Sequence, residues 1–443
     1  MTRAAERAKS GRDWAETPQR HANQRVILIG VDGDDGDFAR AFDELAALCQ
    51  TAGAEVVGQI VQRRDTPDPA TYIGSGKAQE AADLARDRGA DLVIVNAELA
   101  PTQQRNLSRT LGVSVIDRTQ LILDIFAQRA RTHEGKLQVE LAQLNYLMPR
   151  LAGMWTHLER QAGGIGARGP GESQLESDRR HIARRIQTLK EALKEVSRHR
   201  ERARSSRQAV PFPVVALVGY SNAGKSTLLN ALSGAEVYAD DRLFATLDPT
   251  TRKVRLPGGW EVLVTDTVGF VSNLPHHLVA AFRATLEEVV EADLLVHVVD
   301  ASREDWPDQA DAVFGVLEQL GADEKPMLTV FNKVDRVADQ AGLRRLVAET
   351  PHSVGISALN GRGLPALLEG IEEMLAVKMV PVAVLLPYQR GDLVALCYER
   401  GRVRVREDRP DGVYLEVDLP QGLAGRVTAL ASPTPPAEAL ATR

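Results

Sequence analysis

The stretch Val214-Val-Ala-Leu-Val-Gly-Tyr-Ser-Asn-Ala-Gly-Lys-Ser-Thr227 decides the fold. A β-branched run precedes it and a segment with helical spacing follows it, so it predicts a strand, a tight loop and a helix. This order is the context that the phosphate-binding pattern G-x-x-x-x-G-K-[ST] requires. The glycines let backbone N–H groups point at phosphate oxygens, and the lysine adds a point charge. The predicted phosphate ligands are Gly219, Tyr220, Ser221, Asn222, Ala223, Gly224, Lys225, Ser226 and Thr227.

The composition is that of an ordinary globular protein, with 44% hydrophobic and 26% charged residues among 443, enough for about three domains. The net charge of −6 alone does not suggest a nucleic-acid partner. Cys49 and Cys397 lie far apart, so we expect no disulfide framework and a reducing compartment. The sequence shows neither a secretory signal nor an apolar stretch able to span a bilayer. We therefore expect a cytoplasmic protein without integral membrane contact.

Strands and helices alternate along residues 25–132, after a polar tail at 1–24 that we expect to be disordered. The alternation predicts an α/β domain with a parallel sheet covered by helices. Within it, Gly74-Ser-Gly-Lys77 resembles a second phosphate loop. Ala78 replaces the hydroxyl ligand and Thr71 stands where the first glycine should be, so we interpret this segment as a helix-capping turn.

Residues 133–207 change in character and predict an antiparallel helical hairpin with a basic outer face. Its predicted connection, residues 163–172, is glycine-rich and carries Arg168. This connection is longer than a two-helix turn requires, which favours a contact tip over a plain connector. Acidic residues at helical spacing leave an ordinary solvated helix face as the alternative. Apolar residues recur at three- and four-residue steps in two stripes: Leu137, Leu141, Leu144, Leu147 and Leu151, then Leu175, Ile182, Ile186, Leu189, Leu193 and Val196.

Three later motifs identify the nucleotide. Asp266-Thr267-Val268-Gly269 follows a predicted strand and fits D-x-x-G, in which the carboxylate holds Mg²⁺ and the glycine N–H meets the γ-phosphate. Asn332-Lys333-Val334-Asp335 fits N-K-x-D, in which the Asp accepts from N1–H and N2–H₂ of guanine and the Asn bonds N7. Ser357-Ala358-Leu359 can offer backbone N–H groups to the guanine O6. In this order the motifs predict a GTP site.

A hydroxyl-rich segment at residues 244–252, here named the first switch segment, lies between the phosphate loop and Asp266. A Thr there would complete the Mg²⁺ sphere only while the γ-phosphate is present. We choose Thr246, with Thr250 and Thr251 as alternatives. The predicted metal ligands are thus Ser226, Thr246 and Asp266, and the predicted catalytic residues are Lys225, Thr246 and Gly269. The switch residues assigned to nucleotide binding are Phe244, Ala245, Thr246, Leu247 and Asp248.

Apart from its two tails, the chain resembles the HflX family, in the Obg–HflX group of GTPases. The resemblance rests on the guanine-nucleotide motifs, on F-A-T-L-D and D-T-V-G-F, and on G-G-I-G-A-R-G-P-G-E before a basic helix. It implies a GTPase that binds the large ribosomal subunit, splits or rescues stalled ribosomes and hydrolyses GTP slowly until the ribosome stimulates it. It also supports Thr246 as an Mg²⁺ ligand. Asn222 resembles the Asn of potassium-activated GTPases, which makes K⁺ a candidate second cofactor, and a plain polar loop residue is the alternative.

The predicted fold class is α/β, in several parts. They are an N-terminal α/β domain (25–132), a helical hairpin arm (133–207), a Ras-like P-loop GTPase domain with a mostly parallel sheet (208–377), a small C-terminal α+β domain (378–431) and a loose tail (432–443). We expect a monomer that binds GTP, GDP and ribosomal RNA but no DNA. Phe270 stands where Ras-like enzymes carry a water-positioning Gln, so we expect hydrolysis to need a group from elsewhere. The alternatives are an ATP- or GTP-dependent RNA-remodelling enzyme and a non-enzymatic RNA-binding module.

Overall fold

A computed structural model describes residues 23–33, 38–151, 170–207, 212–234, 243–272, 275, 278, 286–376 and 379–430, without the side chains of 170–175, 199–207 and 421–422. The described chain divides into two compact units. The first contains residues within 1–200, 240–248 and 272–284, and the second contains the remainder. The first switch segment therefore begins in the first unit and continues in the second.

The first unit contains a parallel four-stranded sheet in the order β2-β1-β3-β4. Short, fully apolar strands such as β3 suit a sheet that is covered on both faces. This arrangement confirms the predicted parallel sheet. The strands are β1 (Arg25–Asp32), β2 (Glu55–Arg63), β3 (Leu92–Val95) and β4 (Ser114–Asp117), and the helices are α1 (Phe38–Ala52), α2 (Ser75–Arg88), α3 (Pro101–Leu111) and α4 (Arg118–Arg129).

Helix α2 starts at Ser75, so three of the four residues of the second glycine loop are helical, and the capping-turn interpretation stays a prediction. Gly74 is the residue before the helix, and its N–H donates to the side chain of Gln62 at 2.8 Å. Lys77 forms an ion pair with Glu80 at 2.6 Å on the same helix.

The predicted apolar stripes of the arm pack together, as expected. Helix α5 (His133–Leu147), a short 3₁₀ turn (Met148–Arg150) and helix α6 (Pro170–Arg207) form it. The predicted end of the connection at Glu172 was wrong, because the helix begins at Pro170, whose fixed φ suits a first helical position. Residues 163–169, including Arg168, and the side chain of Leu175 lie outside the described residues. Buried members of the shared core are Leu137, Leu144, Leu151, Ile182, Ile186 and Leu189.

The second unit contains a six-stranded sheet in the order β10-β9-β8-β5-β7-β6, in which only β6 runs antiparallel to its neighbour. This confirms the mostly parallel sheet. The strands are β5 (Val214–Gly219), β6 (Thr250–Arg255), β7 (Glu261–Asp266), β8 (Leu294–Asp300), β9 (Met327–Asn332) and β10 (Ser353–Gly355), and the helices are α7 (Lys225–Ser233), α8 (Glu287–Glu291), α9 (Trp306–Leu320), α10 (Gln340–Glu349) and α11 (Leu364–Ala376).

The C-terminal part of the second unit is an antiparallel sheet in the order β11-β13-β12, packed with two helices around its own apolar core. It contains β11 (Met379–Leu386), a 3₁₀ turn (Tyr388–Arg390), α12 (Gly391–Arg400), β12 (Arg402–Arg409), β13 (Gly412–Pro420) and α13 (Gln421–Leu430). The predicted α+β character is confirmed. The ring of Phe212 contacts Arg400 and Lys253, with its centroid 2.9 Å and 4.5 Å from these cations.

Cys49 and Cys397 are both buried free thiols, in agreement with the absence of a predicted disulfide framework. Within the part of the chain that the structure describes, every helix is too short or too polar to cross a membrane.

Candidate functional site

Both glycines of the phosphate-loop pattern are required by the local backbone. Gly219 ends β5 where a Cβ atom would lie 2.3 Å from the carbonyl oxygen of Val298. Gly224 precedes α7 with φ of 100°, and a Cβ atom there would meet the amide of Asn332 at 2.3 Å. A side chain at either position would displace the loop or its neighbour. The loop is therefore held in one shape at the start of a helix, as phosphate binding requires.

Lys225 is buried at the base of this loop, where its Nζ donates to the carbonyl oxygens of Gly219 (3.0 Å) and Tyr220 (2.9 Å). Burial lowers the pKa of Lys225 to about 8, and the negative charge of Asp266 partly offsets this effect. An ammonium held against carbonyl groups at the center of a phosphate loop is a ready partner for the phosphates of a nucleotide.

Ser226 and Asp266 come together beside the lysine. The Ser226 hydroxyl donates to Oδ2 of Asp266 at 2.6 Å, and the Asp266 side chain is fully buried at the end of β7. A carboxylate and a hydroxyl are hard oxygen donors of the kind that Mg²⁺ prefers. These two residues therefore fit the predicted metal site.

His297, on β8, is a neighbour of this site that the sequence analysis did not single out. The imidazole is buried, and neither ring nitrogen has a hydrogen-bond partner among the described residues. Burial, and to a lesser extent the positive charge of Lys225, lowers the pKa of His297 to about 4. The ring is therefore neutral at physiological pH, and it contacts Phe314 edge to face. A neutral ring adds no second cation beside Lys225.

The D-x-x-G segment lies against the phosphate loop. Ser221 N–H donates to the Phe270 carbonyl at 2.6 Å, and Phe270 N–H donates to the Gly219 carbonyl at 3.2 Å. A Cβ atom on Gly269 would be 3.1 Å from Lys225 Nζ, so this glycine is close to the lysine. The side chain of Phe270 is buried with 1% exposure. It cannot orient a water molecule.

The predicted guanine motif lies at the carboxyl end of β9. Asn332 joins two loops, because its Nδ2 donates to the Ala223 carbonyl (2.8 Å) and its Oδ1 accepts from Ala358 N–H (3.0 Å). Lys333 Nζ lies 2.8 Å from both the Asn222 carbonyl oxygen and the Asp300 carboxylate. The predicted base-binding and phosphate-binding segments are thus joined by direct side-chain contacts within the second unit. The bond from Asn332 to guanine N7 stays a prediction.

Asp335 is exposed at this end of the site. Hydrogen bonding to the Ser357 hydroxyl holds the pKa of the Asp335 carboxyl below its usual value. The group is therefore ionised and can only accept hydrogen bonds, as the two donors of guanine require.

The alternative switch threonines lie in strand β6. Thr250 pairs with Asp266 in the β6–β7 register, and the Thr251 hydroxyl is 2.9 Å from that of Thr265. Thr246 precedes the strand and belongs to the first unit, whereas Ser226 and Asp266 belong to the second. The role of Thr246 as a metal ligand remains a prediction.

Three residues of the first switch segment are packed or hydrogen-bonded within the first unit, namely Phe244, Leu247 and Asp248. The Phe244 ring packs edge to face on Phe126 at 4.7 Å, and Leu247 is buried. The Asp248 carboxylate accepts hydrogen bonds from the N-terminus of helix α5. The sequence analysis assigned these residues to nucleotide binding and did not anticipate these contacts, which join positions more than a hundred residues apart.

Comparisons with known proteins cover nearly the whole chain. Family models match residues 39–127 (GTP-binding GTPase N-terminal), 129–207 (GTP-binding GTPase Middle Region), 214–333 (50S ribosome-binding GTPase) and 342–427 (HflX C-terminal domain). The chain is 50% identical over 396 residues to the GTPase HflX of Caldanaerobacter subterraneus subsp. tengcongensis, covering 89% of this chain and 91% of that protein.

A second relative and a solved structure also resemble this chain. The GTPase HflX of Escherichia coli strain K12 is 45% identical over 401 residues, covering 90% of this chain and 94% of that protein. The solved structure of the SsGBP–GDP complex is 26% identical and covers 79% of this chain and 98% of that chain, with a TM-score of 0.45.

Proposed function

Because this chain belongs to the HflX family of GTPases, we propose that it binds the large ribosomal subunit through its helical arm and splits or rescues stalled ribosomes. In this proposal the protein works in the cytoplasm, GTP binding orders the switch segments, and hydrolysis of GTP to GDP and phosphate releases the protein. The observation that carries the proposal is a set of exposed cations on helix α6 that have no ion-pair partner among the described residues.

These cations are exposed on α6 and have no ion-pair partner within the described chain. Other arginines of the helix are already paired, since Arg180 contacts Glu176 at 2.9 Å and Arg185 contacts Glu140 at 2.6 Å. Unpaired cations on one long helix suit a polyanion such as ribosomal RNA, because each phosphate contact releases counterions from the nucleic acid. They are Arg179, Arg184, Lys190, Lys194 and Arg198.

In the proposed reaction, Ser226 and Asp266 would hold Mg²⁺, and Thr246 would join them in the GTP state. A bound metal would supply positive charge that neutralises the phosphates. Lys225 stabilises the charge on the phosphates, and the Gly269 N–H orients the γ-phosphate. Because the Phe270 side chain is buried, the group that orients the attacking water comes from another part of the protein or from the ribosome. If the ribosome supplies that group, turnover without the ribosome is slow.

Potassium is a proposed second cofactor. Asn222 lies in the phosphate loop with an exposed side chain and φ of 65°, in the left-handed region. An amide oxygen at this position could accept a monovalent cation that stabilises charge on the phosphates. Turnover should then be faster in K⁺ buffer than in Na⁺ buffer, and an Asn222→Ala variant should lose that difference.

The test measures GTP turnover with and without purified large subunits, together with binding to the subunit across a range of salt concentrations. The variant Arg184→Gln/Lys190→Gln removes two unpaired cations, and it should reduce the salt slope of log K by about one for each. The matched control Glu176→Gln/Arg180→Gln removes an ion pair from the same helix without changing the net charge. It should keep the wild-type slope.

Splitting is tested separately, by light scattering of intact ribosomes mixed with the protein and a non-hydrolysable GTP analogue. If the wild-type protein lowers the scattering and the Arg184→Gln/Lys190→Gln variant does not, the result would support the arm as the docking element. If large subunits neither bind the wild-type protein nor stimulate its turnover, the ribosomal proposal is wrong.

A further inference from the structure

Asp300 is a buried carboxylate at the carboxyl end of strand β8, within the second unit. Its two oxygen atoms have different partners. Oδ1 accepts from the Ser302 N–H at 3.1 Å and from the Ser302 hydroxyl at 2.6 Å, whereas Oδ2 lies 2.8 Å from Lys333 Nζ. One oxygen therefore shapes the turn after β8, and the other holds a cation of the predicted guanine motif.

Lys333 joins this carboxylate to the phosphate loop. Its Nζ donates to the Asn222 carbonyl at 2.8 Å, so the ammonium lies between a loop carbonyl and the Asp300 carboxylate. The side chains of Lys333 and Asp300 are only 17% and 9% exposed, and salt therefore screens their attraction little. The ion pair thus fixes the direction in which the lysine reaches the loop.

The backbone supports this contact independently. Lys333 has φ of 60° and Asn222 has φ of 65°, both in the left-handed region that residues other than glycine seldom adopt. Such conformations persist only where the surrounding contacts determine them. The bond from Lys333 to Asn222 joins these two strained positions, and Asp300 is the anion that pairs with the lysine there.

We propose that Asp300 is a positioning residue for guanine nucleotides, which holds Lys333 against the phosphate loop and thereby slows release of the nucleotide. The inference rests on the predicted role of the motif Asn332–Asp335 in base binding. Holding the lysine in place before the nucleotide arrives reduces the entropy lost on binding. The contact includes none of the residues predicted to meet the γ-phosphate, so it acts equally on GDP and GTP.

The test measures dissociation of fluorescent GDP and of a fluorescent, non-hydrolysable GTP analogue from the full chain, with Mg²⁺ in ribosome-free buffer. Asp300→Asn keeps an oxygen for Ser302 and places an amide donor opposite the Lys333 ammonium. Both nucleotides should dissociate about tenfold faster, since a charge-assisted hydrogen bond is lost. In turnover assays the KM for GTP should rise without a fall in kcat.

Lys333→Met completes a double-mutant cycle. This variant keeps an unbranched side chain and removes the charge, and it should itself speed dissociation. Adding Asp300→Asn to it should cause no further loss, because the carboxylate acts through the lysine. The matched control is Glu261→Gln, which breaks a 2.9 Å pair with Lys253 at the amino end of β7 and should behave as wild type.

The outcomes separate this inference from the predicted base site. If Lys333→Met speeds dissociation and Asp300→Asn does not, the positioning role is wrong and the role of the motif stands. If Lys333→Met leaves dissociation unchanged, the predicted role of the lysine is wrong and the inference fails with it. A lower kcat at unchanged KM, or an equal effect of Asp300→Asn in the wild-type and Lys333→Met backgrounds, would also overturn the inference.

Discussion

Glu372 on α11 accepts a 3.1 Å hydrogen bond from the indole N–H of Trp260, a side chain with no solvent exposure. The second carboxylate oxygen accepts from the Gly258 N–H at 2.9 Å, and Arg402 lies 3.7 Å away. The hairpin between β6 and β7 is thereby attached to a helix. Glu372→Ala should lower the free energy of unfolding of the second unit by about 1–3 kcal/mol, because the buried indole N–H of Trp260 loses its acceptor, as does the N–H of the exposed Gly258.

Chemical denaturation followed by circular dichroism would measure this loss. Trp260→Phe removes one of the two donors and should cost less than Glu372→Ala. A change below about 0.5 kcal/mol for Glu372→Ala would contradict the importance of the contact.

Asp335→Asn should change the base preference. The ionised carboxylate accepts from N1–H and N2–H₂ of guanine, whereas an asparagine amide also donates and suits a base with oxygen at that position, as in xanthine. GTP affinity should fall about 100-fold and affinity for xanthosine triphosphate should rise. Equilibrium binding of fluorescent nucleotides would measure both. An unchanged GTP affinity would contradict the role of Asp335 in base recognition, and ATP serves as the negative control.

His297 should make the nucleotide-free protein sensitive to acid. Its folded-state pKa of about 4 lies below the usual value of 6.5, so the unfolded chain binds a proton that the folded chain does not. The corresponding stability is fully present above pH 6.5, decreases as the pH falls and is lost near pH 4. The change amounts to roughly 3 kcal/mol.

His297→Leu should therefore flatten the dependence of the free energy of unfolding on pH between 4 and 6.5, relative to the value of the same variant at pH 7.5. Unfolding by urea at a series of pH values would measure it. Equal slopes for the variant and the wild type would show that the imidazole is accessible to protons in the folded state.

Arg118→Ala should destabilise the first unit by about 3–5 kcal/mol, because Glu44 would remain a nearly buried charge without its cation. Arg118→Met combined with Glu44→Leu removes both charges and should cost less than the single variant. Hydrogen exchange of helices α1 and α4 would locate the effect. A double variant that is less stable than Arg118→Ala would contradict this explanation.

The predicted nucleotide motifs lie close together because their determinants are local in sequence. Gly219, Gly224 and Lys225 lie in one loop between a strand and a helix, and Asp266 ends a strand of the same sheet, so topology alone brings them together. The parallel sheets follow from the alternation of strands and helices. The core of the arm was equally predictable, since Leu144 and Ile186 belong to regular helical stripes.

What sequence reasoning missed depends on nonlocal contacts or weak periodicity. Helix α3 is rich in glutamine and other polar residues, and helix α4 follows β4 without a connecting loop, so neither produced a clear signal. The pairing of Asp248 with Thr132 joins residues 116 positions apart, which no local pattern encodes. The available clue was Gly135, a residue that is unfavourable in a helix unless another group needs its space.

The packing of Phe244 on Phe126 affects how this protein can be cut into parts. A fragment that starts at residue 212 would contain every nucleotide motif and would lack the ring against which Phe244 is buried, as well as the amides that hold Asp248. The GTP turnover of this fragment would be that of a switch segment without these contacts. Intrinsic GTP hydrolysis should therefore be measured on the full chain, and the role of the arm should be tested by substitutions and not by truncation.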